Sequence, residues 1–135
     1  LLHWIIMTEE WHKDHNNKGD KYNKNKRKNN MVDLMKGIRF ANNSMKHNMI
    51  FKKLHLMPTG TPCGSSEAIC GAFSCGTAEI IWSPVSGFYS KKLWEIEQYE
   101  CYNTNLKLKG ITNTLEPVVT FLQSETDTYI MKNNY

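Results

Sequence analysis

The sequence predicts an α+β fold, in which a helical N-terminal part is followed by a small mixed or antiparallel sheet with one helix. Apolar residues recur at helical spacing after Met31, and short β-type segments separated by turn residues follow Ala78. A stretch rich in Gly, Pro and Cys lies between the two patterns. We therefore divide the 135 residues into a basic helical region at 1–56, a connecting seam at 57–77 and a small α+β unit at 78–135.

The first segment, Leu1–His15, is predicted to be a helix. Its apolar residues are concentrated in the first seven positions, a pattern that suits the apolar start of a helix or a short buried strand. Thr8 followed by Glu9 and Glu10 has the pattern of a helix N-cap with acidic residues in the first turn. A break at Met7, with a helix beginning at Glu9, is therefore an equally defensible alternative.

The second segment, Asn16–Asn30, is predicted to be a loop or mobile arm. It contains six Asn and six basic residues, and Tyr22 is its one apolar residue. A segment of this composition cannot bury enough apolar surface by itself to offset the entropy lost on ordering.

A helix over Met31–Leu54 is the strongest prediction for a single element. Gly37 and the run at 42–44 weaken its middle, because Gly, Asn and Ser have low helix propensity, so a break there into two shorter helices is the alternative. The apolar residues that define its buried face lie at positions 31, 34, 35, 38, 41, 45 and 49.

The seam at 57–77 holds four of the eight Gly and two of the four Pro. Beyond it we expect a strand at Ala78–Trp82 and a helix at Ser90–Tyr102. The alternation of Leu and Lys at 106–109 indicates a half-exposed strand. Two further strands are predicted at Val118–Leu122 and Thr128–Met131, separated by a polar turn.

Four cysteines, all in the second half of the chain, leave three states open. Zinc sites use close cysteine pairs, because two thiolates must reach one ion from a tight turn, and only Cys70 and Cys75 approach that spacing. Free buried thiols are the leading interpretation, followed by two disulfides and then by a metal site. We therefore predict no metal and no cofactor. The cysteines are Cys63, Cys70, Cys75 and Cys101.

Positive charge is concentrated at the front of the chain. Residues 1–53 carry twelve Lys or Arg against five acidic residues, whereas residues 54–135 carry five against eight. Binding to phosphates requires little more than positive charge on a suitable support, and an aromatic residue can add base stacking. An A/T-rich coding sequence would produce the same Asn and Lys bias. The predicted nucleic-acid-binding residues are Lys21, Tyr22, Lys24, Lys26, Arg27 and Lys28.

No catalytic constellation is present in the sequence. The small residues at 60–66 lack the spacing and the Lys of a phosphate-binding loop, and Ser74 lacks the glycine spacing of a nucleophile elbow. His12 and His15 share a helix face, but neither a zinc-protease motif nor a repeated Glu-x-x-His unit accompanies them. We predict no catalytic residues and a protein that is not an enzyme.

These patterns together predict a non-enzymatic structural or interaction protein. We expect a basic subunit of a larger nucleoprotein assembly, such as a divergent organellar ribosomal or viral particle component. RNA or another polyanion would bind the basic residues, and protein neighbours would contact Trp82, Phe88 and Trp94. The alternative is a secreted or surface binding module stapled by two disulfides. No stretch approaches the roughly 18 apolar residues of a membrane span, so no membrane partner is expected.

Overall fold

The protein is all-α, so the predicted α+β fold is wrong. The computed structural model describes residues 1–15, 20–48, 56–58 and 78–133. An antiparallel pair of three-residue strands, β1 (Leu56–Pro58) and β2 (Ala78–Ile80), is too small to form a layer of its own. The helices of the described residues are α1 (Leu2–His15), α2 (Asp20–Lys28), α3 (Met31–Asn48), α4 (Leu93–Asn105) and α5 (Ile111–Asn133).

Helix α1 confirms the first predicted helix and has no break at Met7. Its buried residues are Ile5, Ile6, Glu9 and His12, which recur every three to four positions along one face. The concentration of apolar residues near its start therefore reflects one buried helix face together with apolar residues exposed on the other side.

The mobile arm predicted at 16–30 is a helix over residues 20–28, and residues 16–19 lie outside the described part of the chain. Tyr22 and Lys26, four positions apart on one face of α2, are both buried. Lys26 pairs there with Glu9 of α1. The interactions that order this segment come from another helix, so its own composition could not reveal them. The turn into α3 has a positive φ of 56° at Asn30, a conformation that Asn tolerates.

Helix α3 confirms the strongest prediction as far as Asn48, and residues 49–54 lie outside the described part of the chain. It contacts each of the other four helices. At Gly37 the backbones of α3 and α4 approach so closely that an added Cβ would lie 2.6 Å from Leu106 Cδ1 and 3.2 Å from the carbonyl oxygen of Cys101. Gly37 thus serves helix packing instead of interrupting the helix.

The C-terminal predictions are partly wrong. Strand β2 lies within the predicted strand at 78–82, and α4 begins three residues after the predicted start of its helix. Residues 106–109 form a turn in place of a strand, with Lys107 bridged to Trp82 and the adjoining Gly110 bridged to Ile81. The two strands predicted at 118–122 and 128–131 are parts of the 23-residue helix α5.

The buried face of α5 explains that error. Its buried residues recur at spacings of three and four, the period of a helix, although many of them are β-branched or aromatic. Packing against α1, α3 and β2 therefore outweighs the local preference for extended structure. The buried residues of α5 are Thr114, Leu115, Val118, Phe121, Leu122 and Glu125.

Candidate polyanion-binding surface

Helix α2 presents a basic stripe to solvent. Lys21, Lys24 and Lys28 lie at positions i, i+3 and i+7, so they follow one another along one face at about one helical turn, roughly 5.4 Å, per step. Arg27 lies beside this row. The side chains of Lys24, Arg27 and Lys28 are exposed, and Lys21 is half-buried at the border with α5. We call these four residues the α2 basic stripe.

None of the four cations of the α2 basic stripe forms an ion pair with a carboxylate in the described part of the chain. The other described cations are of two kinds, and those without such a pair are Lys46, Lys91, Lys107, Lys109 and Lys132. Five basic residues outside the stripe do form such pairs, namely Lys13, Lys26, Lys36, Arg39 and Lys92.

A further cation, Lys132 near the end of α5, joins the edge of the stripe. Its ammonium group lies close to that of Lys21, and the interaction between the two like groups lowers the pKa of Lys132. Two like charges in contact at the surface favour an anion beside them. The sequence contained no signal for Lys132, because 111 residues separate it from Lys21.

Lys26 and Tyr22, both predicted to bind nucleic acid, face the interior instead. Lys26 Nζ donates to Glu9 Oε1, and the carboxylate of Glu9 also pairs with Arg39 and Lys13. The hydroxyl of Tyr22 is buried without a hydrogen-bond partner among the described residues. Neither side chain offers a surface to a polyanion, so both lie outside the candidate binding surface.

The buried cluster around Glu9 anchors α2 to the rest of the protein. Burial acts to raise the pKa of Glu9, but the attraction of Lys26, its hydrogen bond and the charges of Lys13 and Arg39 outweigh this, and the pKa is lowered. Glu9 is therefore ionised in the interior. Because a buried carboxylate is costly without partners, the Glu9–Lys26–Arg39 contacts hold α1, α2 and α3 in register.

His12 and Tyr22 form a second polar contact in the core. Their rings stack with centroids 5.3 Å apart and planes at 2°. His12 Nε2 lies 3.1 Å from Thr126 Oγ1, and that hydroxyl donates to the carbonyl of Leu122, so Nε2 carries the proton and donates to Thr126. Burial lowers the pKa of His12, against the opposing charge of Glu125. The imidazole is thus neutral in the folded protein near pH 7.

The three residues predicted to contact protein neighbours occupy different environments. Trp82 is a core residue whose Nε1 donates to Thr114 Oγ1 at 2.6 Å, so it is not available to a partner. Phe88 is half-buried and packs edge-to-face on Phe40 at a centroid distance of 5.1 Å. Trp94, by contrast, is 49% exposed at the start of α4.

The structure bears on the remaining chemical predictions only for part of the chain. Cys101 is a half-buried thiol in α4, whereas Cys63, Cys70 and Cys75 lie outside the described residues. Among residues 1–15, 20–48, 56–58 and 78–133, no group of three or more His, Cys, Asp or Glu side chains is placed to hold a metal ion. Within the same ranges no helix has the length and apolarity needed to cross a bilayer.

Comparison with known proteins identifies no relative. The chain matches no family model, no curated protein and no solved structure. The function is therefore inferred from the geometry and charge of this chain's own residues.

Proposed function

We propose that this protein is a non-enzymatic subunit of a nucleoprotein assembly and that it binds the phosphates of single-stranded RNA through the α2 basic stripe and Lys132. The observation that carries the proposal is the alignment along one exposed face of α2 of four cations that have no ion-pair partner within the described residues. Phosphates supply the missing negative charge, and binding releases the counterions of the strand.

The anchoring of α2 strengthens this proposal. A basic segment that is disordered when free loses conformational entropy when it binds. In α2 this conformational entropy is already lost when the protein folds. Tyr22 and Lys26 hold the helix against α1 and α5, and the stripe faces solvent. The cations therefore occupy fixed positions along the helix and can follow successive phosphates.

The non-enzymatic part of the proposal is supported by the environment of two groups with shifted pKa values. Glu9 and His12, whose pKa values are both lowered, are buried and face other side chains of the protein. A general acid or base must reach a substrate. The side chains of Glu9 and His12 are better explained by the contacts that they make between helices. We propose that the assembly is an organellar ribosome or a viral particle and that this chain is a divergent subunit of it.

The test is a salt titration of RNA binding. Fluorescence anisotropy with a single-stranded RNA of about 12 nucleotides, between about 50 and 200 mM salt, gives the affinity and its salt slope. The triple variant Lys24→Ala, Arg27→Ala, Lys28→Ala should bind more weakly and lose about 2 units of slope, since each phosphate contact on a single strand contributes about 0.7. Because Ala has the highest helix propensity, α2 should persist in the variant.

The matched control removes three exposed lysines from other surfaces, Lys46→Ala, Lys107→Ala and Lys109→Ala. It lowers the net charge equally and should reduce the slope much less. Equal losses in the two triple variants would mean that only net charge matters, and the assignment to the stripe would fail. Binding that is insensitive to salt in the parent protein would defeat the proposed function itself.

A further inference from the structure

A cavity of about 410 Å³ opens between α3 and α4. Its aromatic side is built from Phe40, which is buried, and from Phe88, which packs edge-to-face on it. The remaining wall is polar. The volume of the cavity falls in the range of small-ligand sites. The lining residues that matter for the ligand are Phe40, Asn43, Ser44, Phe88, Trp94 and Gln98.

Trp94 forms an aromatic wall at the mouth of this cavity. The residue is 49% exposed, so part of its side chain is open to a stacking partner. Lys92 Nζ lies 5.3 Å from the ring centroid and pairs with Glu95 at 3.2 Å, so the rim of the same cavity carries an ion pair. Single-strand-binding proteins use exposed aromatic rings of this kind to stack a base.

The polar wall distinguishes between possible occupants. The carboxamides of Asn43 and Gln98 line the cavity and form no hydrogen bond within the described part of the chain. An apolar side chain inserted from a protein partner would cover both amides and leave them unsatisfied, which carries a free-energy cost. A flat heteroaromatic ring with donors and acceptors on its edge would instead stack on the indole and pair with the amides.

We infer that this cavity binds one unpaired base of the RNA strand whose phosphates contact the α2 basic stripe. The base stacks on Trp94, and its edge exchanges hydrogen bonds with Asn43 and Gln98. The inference rests on the proposed function, because a base reaches the cavity only if the protein binds a single strand.

The test compares two strands of equal length and charge, one with bases and one with abasic sugars at every position. The parent protein should bind the base-containing strand about tenfold more tightly, the gain expected from stacking one base. Trp94→Ala should remove this preference without changing the salt slope, and Trp94→Phe should retain most of it. Trp4→Ala, which removes a tryptophan 51% exposed on α1, is the matched control and should keep the preference.

The outcomes separate the inference from the function on which it rests. If the parent protein binds both strands equally and with a steep salt slope, the base site is overturned and phosphate binding stands. If Trp94→Ala keeps the full preference for bases, the base site is likewise overturned. If neither strand binds, both proposals fail. Loss of the preference in Gln98→Leu, with the salt slope unchanged, would support the base site by removing an amide without touching the indole.

Discussion

The ammonium group of Lys26 on α2 meets the carboxylate of Glu9 on α1 in the interior of the protein. The side chain of Glu9 is 1% exposed and that of Lys26 is 11% exposed. This ion pair divides the cations of one short helix into two classes. Lys26 holds the helix in place, and the α2 basic stripe remains available to a partner.

Breaking that pair should destabilise the protein. Lys26→Met keeps most of the length of the side chain and removes its charge. Because Arg39 and Lys13 still pair with Glu9 in the variant, we expect a loss of about 2–3 kcal/mol, somewhat below the loss typical of a fully broken buried pair. Chemical unfolding by urea measures it. Lys24→Met, on the exposed face of the same helix, should change stability by less than about 0.5 kcal/mol. Similar losses for the two variants would contradict the burial of Lys26.

Gly37→Ala should destabilise the protein even though Ala favours helix by about 1 kcal/mol. The new Cβ would lie 2.6 Å from Leu106 Cδ1, and Leu106 is itself fully buried and cannot move freely. We expect a net loss of about 1–2 kcal/mol from overpacking between α3 and α4. Thermal unfolding measures the change. Asn23→Ala, exposed on α2, is the control and should be neutral or slightly stabilising. Stabilisation by Gly37→Ala would show that the helices are not in close contact there.

Acidification below about pH 6.5 should weaken the fold through His12. Its pKa is lowered in the folded protein, from the ordinary value of 6.5, by burial, with partial opposition from Glu125. The unfolded chain therefore binds a proton that the folded chain excludes, and the free energy of unfolding falls as the pH drops from 6.5 toward the folded pKa. Above pH 6.5 this contribution is constant.

Urea unfolding at several pH values between about 7.5 and 5.5 tests the role of His12. His12→Gln, which preserves a donor toward Thr126, should show a smaller decline in stability over this interval than the parent protein. His3→Gln changes a histidine exposed on α1 and should leave the decline unaltered. A decline of the same size in His12→Gln would exclude His12 as its cause. The lowered pKa of Glu9 adds a separate loss, which begins only near pH 4.5.

Two tryptophans near one another in the sequence should behave differently when truncated. Trp82 is buried and donates to Thr114, so Trp82→Ala should cost about 3–5 kcal/mol. Trp94→Ala should cost less than about 1 kcal/mol, because half of its side chain is already in solvent. Thermal unfolding of the two variants compares them directly. A large loss in Trp94→Ala would make this tryptophan a core residue and not a binding surface.

Helix prediction succeeded where the signal was local. The spacing of apolar residues after Met31 depends only on which face of a helix is buried, and α3 follows it. The same spacing is present in α5, at Leu115, Val118 and Leu122, but the β-branched residues around it suggested strands. The period was the more reliable signal of the two, because packing against several helices outweighs local propensity.

The surface proposed for binding was predictable only in part. Four of the six predicted nucleic-acid-binding residues belong to the α2 basic stripe, and Trp94 is exposed as a contact surface requires. The sequence could not show that Tyr22 and Lys26 are buried while their neighbours in α2 are exposed, because their partners His12 and Glu9 lie on another helix. Lys132 could not be found for the same reason.

The sequence by itself determined that positive charge gathers between residues 13 and 28 and that α3 has one apolar face, since charge and period are properties of a segment. The tertiary structure decided that Asp20–Lys28 is ordered, which of its cations face solvent and which tryptophan is exposed. Those outcomes depend on the partners that distant residues supply. A lysine in a basic run is a binding group or a core anchor according to whether a carboxylate such as Glu9 is buried opposite it.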